Sequence, residues 1–389
     1  MLDQIKNLSK KHLSKVKQIR FYLHQNPELS FQEHKTSGFI KEQLNSQNIP
    51  FESIAGTGIV ATIPGKKKEA ICLRAELDAL PITEQSNKNY ASINKGVMHA
   101  CGHDVHMASL LGTCFILSEL KEKLSSTVKV LFQPGEEKLP GGASIVLQEG
   151  IIEKHNITRM VAQHVAPSIE VGKLGFRPGV YMASCDEIFL EIKGKGGHAA
   201  MKETYNNPLL ITAKFLQLAD RLVNTSTQNP CPSVLSFGKI NSEGGATNII
   251  PEKVFLEGTF RTFDEGFRAK TWKRLNELAL KVGKEFNTEL RVEIKKGYPF
   301  LNNNSEMVSK AVEAAKEFVG KDNVVNLDLR MTSEDFAYFS QKVPVCFYRL
   351  GVRNEAKGIA SMVHTPTFDI DEGAFGYSSL YMAYLACIL

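Results

Sequence analysis

The sequence lacks three features that would place it in a specialised class. Its seven cysteines are odd in number and include no Cys-x-x-Cys pair, so they do not form the pattern of a disulfide scaffold. No segment approaches the roughly 20 apolar residues of a membrane-spanning helix. The 47 Lys and Arg residues exceed the 42 Asp and Glu residues by only 5, which is too dilute a charge for a nucleic-acid-binding protein. We therefore expect a globular protein that binds neither membranes nor nucleic acids.

The amino-terminal stretch and the cysteines both indicate the cytoplasm. Residues 1–25 are basic and amphipathic, and they contain no uninterrupted apolar run of the kind that a cleavable signal needs. Unpaired cysteines are typical of a reducing compartment. The sequence thus predicts a cytoplasmic protein.

Short apolar runs alternate with helical patterns over much of the chain, which is typical of an α/β fold with a largely parallel sheet and flanking helices. A helix is predicted from His103 to Leu120. Polar residues follow several of the apolar runs, and ligands bind at the carboxyl ends of strands in open α/β sheets. Buried strands are predicted at residues 70–75, 128–133, 160–163 and 345–348.

The middle of the chain has a different pattern. Ile188, Leu190 and Ile192 alternate with polar residues, which predicts a strand with one face in water. A helix is predicted to follow, with Asn207 as its N-cap and Pro208 as its first residue. We therefore predict a smaller α+β domain at residues 182–295, inserted into a discontinuous domain of residues 1–181 and 296–389.

The sharpest local signal for chemistry is Cys101-Gly-His103. A thiolate and an imidazole two residues apart can bind one metal ion, and the start of a helix favours the deprotonated thiol that a metal needs. His99 and His106 compete with His103, and spacing alone does not choose among the three histidines. A buried cysteine beside incidental histidines is the structural alternative.

Further donors lie near the ends of predicted strands. Adjacent carboxylates can divide the work of a metal site, because one binds the metal while the other moves protons. Sulfur, nitrogen and oxygen donors together suit zinc or manganese better than calcium or magnesium. The set fits a two-metal hydrolase with Glu136 as the free carboxylate, and its other members are Cys101, His103, Glu137, His164 and His364.

The inserted domain contributes polar residues beside glycines. Glycine-rich loops around His198 and Asn248 are suited to a close approach of the backbone, and tight turns are the alternative. Arg261 lies on the polar face of a predicted strand. Its guanidinium can bind a substrate carboxylate through two hydrogen bonds, whereas a solvated surface arginine is the plainer interpretation.

These motifs together resemble the metal-dependent aminoacylase and carboxypeptidase family. The branch they resemble holds hippurate hydrolase, N-acyl-amino-acid amidohydrolase, N-acetyl-diaminopimelate deacetylase and the plant auxin-conjugate hydrolases. The similarity runs nearly end to end, over residues 23–29, 74–81, 99–104, 132–137, 194–199, 248–251, 333–336 and 364–366.

The resemblance implies an architecture and a metal content. The discontinuous domain would be catalytic, and the inserted domain would serve dimerisation or act as a lid in a homodimer or higher homo-oligomer. Each subunit would hold two divalent ions, zinc or manganese, with nickel or cobalt as further options. The implied ligands are Cys101, His103, Glu137, His164 and His364.

The resemblance also implies roles for single residues. Glu136 would be the general base, and Asp78 would orient a ligand from behind the metal site. His198 would reach the partner subunit's active site and, with Asn248, bind the substrate carbonyl or carboxylate. Arg261 would bind the substrate carboxylate.

Two positions depart from the family pattern. Many members have Asp where this chain has Glu76, which changes the reach of the side chain but not its charge. After Glu137, a glycine-rich continuation is replaced by residues 138–140, Lys-Leu-Pro. This stiffer segment lies where the acyl pocket is expected, so it bears on the choice of substrate.

We therefore predict a two-metal amidohydrolase that cleaves the amide bond of N-acyl amino acids, with a metal-activated water and Glu136 as general acid and base. A dipeptidase or carboxypeptidase with the same metal centre is an alternative. A catalytically silent protein that binds amino-acid conjugates is another.

Overall fold

The computed structural model describes residues 1–224 and 229–389. Within these residues, no helix combines the length and the apolar character needed to cross a bilayer. The helices are α1 (Leu2–Gln25), α2 (His34–Asn45), α3 (His103–Glu119), α4 (Gly142–Gln148), α5 (Ile151–Lys154), α6 (Pro208–Val223), α7 (Glu265–Glu285), α8 (Ser305–Val319), α9 (Ala337–Ser340) and α10 (Ser378–Ile388).

The strands are β1 (Phe51–Ile54), β2 (Gly58–Ile63), β3 (Lys67–Glu76), β4 (Ser126–Gln133), β5 (Ile157–Glu170), β6 (Leu174–Phe176), β7 (Gly179–Met182), β8 (Asp186–Lys193), β9 (Gly197–His198), β10 (Ser233–Glu243), β11 (Ile249–Ile250), β12 (Lys253–Thr262), β13 (Leu290–Lys296), β14 (Leu301–Asn303), β15 (Val324–Asn326) and β16 (Val345–Arg353). The four runs predicted as buried strands lie within β3, β4, β5 and β16.

The chain divides into two compact units, and the first contains the larger sheet. This unit comprises Met1–Tyr181, Asn302–Asp328 and Asp335–Leu389. Its strands lie in the order β1-β2-β4-β3-β5-β16-β6-β15, and the neighbours from β4 to β16 run parallel. The predicted α/β class, a mostly parallel mixed sheet flanked by helices, is confirmed.

Helix α3 lies in the core of the first unit because its residues from His103 to Leu117 are all buried, and most of those from Val105 to Leu117 are apolar. It packs against α1, α10 and strand β3. The helix starts directly after Gly102, whose φ of 83° places it in the left-handed region. This start fixes the position of His103, the first residue of the helix, beside the carboxyl end of β3.

The expectation that His164 ends a strand is wrong. Strand β5 continues to Glu170, so His164 lies within it. The pairing between β3 and β5 stops at Ala162, but β5 continues to pair with β16, where His164 stands opposite Arg349. By this register His164 is level with Glu76, the last residue of β3, so it lies at the carboxyl end of the neighbouring strand.

The second unit comprises Met182–Leu301 and Leu329–Glu334. Its four-stranded sheet is antiparallel, in the order β10-β12-β8-β13, and its buried side chains include Ile188, Leu190 and Ile192, as the alternation predicts. Helix α6 begins as predicted, because the Asn207 side chain accepts a hydrogen bond from the backbone N of Leu209 at 3.0 Å.

The second unit is longer than the predicted segment 182–295. The backbone N of Gly297 donates to Asp186 Oδ1 at 3.1 Å, and the backbone N of Cys185 donates to the carbonyl of Tyr298 at 3.0 Å. These bonds join residues 296–301 to the start of β8. Residues 329–334 also belong to this unit, since the carbonyl of Arg330 accepts from the backbone N of Ala183 at 3.0 Å.

Candidate metal centre

The first unit brings five predicted donors together around the Cys101 thiol. The Sγ atom of Cys101 lies 3.4 Å from His164 Nε2 and 3.3 Å from His364 Nε2. His364 Nε2 is also 3.2 Å from Glu137 Oε1, which lies 4.0 Å from His103 Nε2. Residues from α3, the β4–α4 loop, β5 and the loop at 364 therefore converge at one place.

Two of the histidines present a lone pair to this cluster. His103 Nδ1 lies 2.8 Å from the carbonyl oxygen of Asp78, and His164 Nδ1 lies 2.7 Å from the carbonyl oxygen of Val165. A carbonyl only accepts hydrogen bonds, so each Nδ1 must carry a proton, and in the neutral form of each ring the lone pair is then on Nε2. The Nε2 atom of His103 is buried and has no hydrogen-bond partner among the described residues. A metal ion is the partner that such an atom fits.

The charges around the cluster favour a cation at its centre. Burial and the negative charge of Glu137 raise the pKa of the Cys101 thiol well above its usual range. Burial lowers the pKa of His103, but the charge of Glu76 and the hydrogen bond to Asp78 outweigh it and raise that pKa to about 10. The nearby carboxylates contribute to both shifts, and a divalent cation would neutralise their charge while holding the thiol as thiolate.

His164 has the opposite shift. Burial lowers its pKa well below the usual range, and the positive charge of Arg349 lowers it further. His164 is therefore neutral at physiological pH, which is the form that binds a metal.

The structure distinguishes among the three histidines of the motif at 99–106. Both ring nitrogens of His106 are engaged, Nδ1 with Glu76 Oε2 at 2.7 Å and Nε2 as acceptor from the backbone N of Val165 at 2.9 Å. His99 is buried, and no described residue bonds to either of its nitrogens. Only His103 directs an unengaged nitrogen toward the donors around Cys101.

Glu136 lies beside this cluster rather than at its centre. Donor atoms of His103, Glu136 and Glu137 lie within 4.8 Å of one another. The backbone N of Asp335 donates to Glu136 Oε1 at 3.3 Å, and this contact orients the carboxylate. A carboxylate next to the metal ligands can exchange a proton with a water held among them.

The carboxylate of Asp78 contacts two of the predicted ligands. Its Oδ2 accepts hydrogen bonds from the backbone N of Glu137 at 2.9 Å and from the Ser30 hydroxyl at 2.7 Å. Its Oδ1 lies 3.3 Å from His103 Nδ1. One carboxylate thus fixes two of the predicted ligands, the arrangement expected for the partner of a metal-bound histidine.

The second unit contains the remaining predicted site residues. Strand β9 pairs with β11, and the backbone N of Ala199 donates to the carbonyl of Asn248 at 3.0 Å, so His198 and Asn248 lie close together. Both side chains are exposed. Arg261 is on β12, and its Nη1 donates to the Ser333 hydroxyl at 2.8 Å.

The sequence did not indicate the buried polar residues that are hydrogen-bonded to one another near the candidate metal ligands. Arg74, Gln133 and Asp335 form a buried hydrogen-bonded group, and Glu76 joins it through Arg74. A hint in the sequence is that Arg74 and Asp335 lie in motifs shared with the family but have no role as metal ligands. Nothing in the sequence indicated that residues 261 positions apart would pair.

A buried group of thiol, imidazole and carboxylate donors beside a spare carboxylate defines a metal-dependent hydrolase site. Comparison with known proteins agrees. Residues 72–385 match the model of the peptidase family M20/M25/M40. The chain is 36% identical over 367 residues to the N-acetyl-L-cysteine deacetylase of Bacillus subtilis, covering 94% of this chain and 85% of the relative.

Two further relatives cover nearly the whole chain. Thermostable carboxypeptidase 2 of Saccharolobus solfataricus is 32% identical over 394 residues, covering 99% of this chain and 98% of the relative. A crystal structure of a dinuclear metal-binding M20 peptidase of Bacillus subtilis superposes with a TM-score of 0.84 at 30% identity, covering 97% and 98% of the two chains.

The chain belongs to the peptidase family M20/M25/M40. It is an enzyme of the metallopeptidase and amidohydrolase class, and the family resemblance seen in the sequence motifs is confirmed.

Proposed function

We propose that the enzyme hydrolyses the amide bond of N-acyl amino acids and releases a carboxylic acid and a free amino acid. The observation that carries this proposal is the placement of Glu136, whose carboxylate lies beside His103 and Glu137 and is oriented by the backbone N of Asp335. The deacetylase relative from Bacillus subtilis acts, by its name, on an N-acyl amino acid.

Two divalent ions would be held by the five donors in the first unit. When bound, they would polarise the amide carbonyl and lower the pKa of water toward neutral pH. The ligands would be Cys101, His103, Glu137, His164 and His364. The mixed donor set suits zinc or manganese.

Glu136 would carry the proton transfers. Its carboxylate removes a proton from the attacking water and then gives that proton to the nitrogen of the leaving amino acid. Its Oε1 accepts from the backbone N of Asp335 at 3.3 Å, which helps to orient the carboxylate for this exchange. The side chain is largely buried, so the proton does not pass to bulk solvent during the reaction.

By the family resemblance, the second unit would supply contacts to the substrate, with His198 reaching the active site of the partner subunit. The backbone N of Ala200 donates to His198 Nδ1 at 3.2 Å, so the proton of that ring is on Nε2 and can be donated to a carbonyl oxygen. Asn248, next to His198, offers an amide to the same group. Arg261 can bind the carboxylate of the amino acid through two parallel hydrogen bonds.

We further propose that the enzyme forms a homodimer through the second unit. Strand β10 lies at the edge of the four-stranded sheet, and its outer side pairs with no strand of the described chain. Apolar side chains on this unit are exposed, including Ile240 at 53% and Leu210 at 65%. Monomeric proteins normally protect such edges and patches. Sedimentation of the full chain tests this proposal, and a monomer across the micromolar range contradicts it.

The decisive variant is Glu136→Gln, which keeps the shape of the side chain but cannot accept the proton. We expect its metal content to equal that of the wild type, while kcat for N-acetyl amino acids falls by at least about a hundredfold. Metal analysis and kinetics on one preparation check both. Full amidase activity in a metal-loaded Glu136→Gln protein contradicts the role of Glu136.

A panel of substrates separates the proposed activity from its alternatives. N-acetyl and other N-acyl amino acids are compared with dipeptides and longer peptides, because one relative is named a carboxypeptidase. Preference for peptides makes this chain a peptidase with the same metal centre. Absence of turnover with either class, in the presence of added Mn²⁺ or Zn²⁺, makes it a silent binder.

A further inference from the structure

The proposed function gives no role to a buried arginine that lies near the candidate metal ligands. Arg74, near the carboxyl end of β3, is completely buried. Its Nε donates to Gln133 Oε1 at 3.0 Å, its Nη1 contacts Glu76, and its Nη2 donates to Asp335 Oδ1 at 2.6 Å. One guanidinium therefore connects three separate segments of the first unit.

The first branch from Arg74 leads to Glu136. Asp335 is fixed by Arg74, by Gln133 Nε2 at 2.8 Å and by the backbone N of Ala143 at 2.9 Å. With its side chain held in this way, the backbone N of Asp335 is directed at Glu136 Oε1. The position of Asp335 therefore contributes to the orientation of Glu136.

The second branch leads to His164. Glu76 Oε2 bonds to His106 Nδ1 at 2.7 Å, and His106 Nε2 accepts from the backbone N of Val165 at 2.9 Å. The carbonyl of Val165 in turn accepts from His164 Nδ1, and the rings of His106 and His164 lie 4.7 Å apart. Both the backbone next to His164 and the orientation of its ring thus depend on Glu76.

We propose that Arg74 is a positioning residue that holds the general base Glu136 and the metal ligand His164 in fixed relation through two separate branches. This inference rests on the proposed function, since it takes the roles of Glu136 and His164 from there. An arginine is required because its planar fork can serve two carboxylates and an amide in fixed directions, whereas the ammonium of lysine is a point charge. Glu76, one methylene longer than Asp, has the reach to contact both Arg74 and His106.

A purely structural network is the competing explanation, because removing one member of a buried ion pair is costly wherever it lies. The two branches distinguish the explanations. If the network is purely structural, variants in either branch lower the stability in the same way. If it positions the site, a variant of Asp335 impairs proton transfer and a variant of Glu76 impairs metal binding.

The test compares three variants that keep the shape or charge of the side chain, Asp335→Asn, Glu76→Gln and Arg74→Lys. Metal affinity is measured by competition of Co²⁺ with a chelator, together with the absorption spectrum of the cobalt protein. The kcat and its pH profile are measured at saturating metal. Arg268→Lys is the matched control, because Arg268 is equally buried and bonds to Asp186 in the second unit.

We expect Asp335→Asn to lower kcat about tenfold or more and to shift its acidic pH limb, with cobalt affinity within about twofold of wild type. We expect Glu76→Gln to weaken cobalt binding by about 10- to 100-fold and to alter the cobalt spectrum. Arg74→Lys shows both effects. Arg268→Lys lowers the melting temperature and leaves the cobalt affinity and spectrum as in the wild type.

Two results overturn the inference. In the first, Asp335→Asn and Glu76→Gln change the same readout to the same extent. In the second, the variants change the melting temperature alone. If the wild type cleaves no substrate of the panel, the proposed function fails, but the cobalt measurements still decide whether the Glu76 branch positions His164. If Arg74→Lys does not fold, the two single-branch variants carry the test.

Discussion

Gly102 separates the first two predicted ligands, and its conformation explains why Cys101 and His103 can face one centre. Its φ of 83° lies in the region that other residues seldom adopt, and it turns the chain sharply into α3. A Cβ atom at this position would lie 2.5 Å from Cγ2 of Val165. Val165 is buried and β-branched, so its side chain has little freedom to move away.

The variant Gly102→Ala is therefore expected to weaken metal binding as well as stability. Gly96→Ala is the control, because Gly96 has a φ of 81° and open space around its Cα. The backbone cost alone is about 1 to 2 kcal/mol, and both variants carry it. Only Gly102→Ala should displace Val165 and His164 and reduce metal affinity at least about tenfold. Equal metal affinities in the two alanine variants would show that this contact does not position His164.

Helix α6 shows an element whose start follows from local sequence. Asn207 accepts from the backbone N of Leu209, and Pro208 occupies the first helical position, where no hydrogen bond from its nitrogen is needed. Ile211, Phe215 and Ala219 then bury one face of the helix in the core of the second unit. The cap and the apolar stripe agree, so the sequence alone predicts this helix.

Replacing the cap tests that account. Asn207→Ala removes the acceptor and is expected to lower the free energy of unfolding of the second unit by about 1 kcal/mol. Asn207→Asp keeps an acceptor and should remain close to the wild type. Urea denaturation measures the change in the free energy of unfolding, and hydrogen exchange shows whether the change lies in α6. Equal exchange rates in Asn207→Ala and wild type would contradict the capping role.

Patterns within one segment predicted several of the elements, but they could not predict contacts between distant segments. The apolar runs within β3, β4 and β16 predict these strands directly, whereas the length of β5 depends on its pairing with β16. That pairing carries β5 past His164, which looked like a strand end because it directly follows the apolar run at residues 160–163. The second unit likewise extends past residue 295 because Gly297 bonds to Asp186, a residue 111 positions earlier.

The candidate site was likewise predicted in part from local sequence, and the rest of it depends on contacts between distant segments. Donor type and spacing singled out Cys101 and the glutamate pair, but they left three histidines in competition. The choice among them depends on hydrogen bonds to the carbonyl of Asp78 and to Glu76, which only the folded chain places beside α3. Residue chemistry can be predicted from a sequence, whereas the orientation of an imidazole depends on neighbours far along the chain.

Distant parts of the first unit are also joined by charge. Arg20 on α1 is completely buried, and its Nη2 donates to Asp369 Oδ1 at 3.0 Å, across 349 positions of sequence. Burial raises the pKa of Asp369. The positive charge of Arg20 and the hydrogen bond from Lys88 together outweigh burial, so the pKa lies below its ordinary value of 3.8. The ion pair therefore stabilises the fold above about pH 3.8, and this contribution is lost as the pH falls through the lower folded pKa.

Asp369→Asn should reveal this contribution in metal-free protein. The variant lacks the charge at every pH, so its melting temperature at neutral pH is lower than that of the wild type. Its melting temperature should then fall less steeply than that of the wild type between about pH 5 and about pH 3. Parallel curves for the two proteins over this range would show that the pair contributes nothing to acid stability.

The two units have separate hydrophobic cores, one around α3 and the other around β8 and α6, and all five predicted ligands belong to the first. A ligand that binds only the folded state stabilises it by about 2.7 kcal/mol when its free concentration is about a hundredfold above Kd. Metal removal should therefore lower the stability of the first unit and leave the second as it was. Calorimetry of the full chain with and without chelator should show one transition moving to lower temperature. Hydrogen exchange should then rise in β3, β5 and α3 but not in β8 and β12, whereas an equal rise in both units would mean that the metal stabilises the molecule as a single cooperative unit.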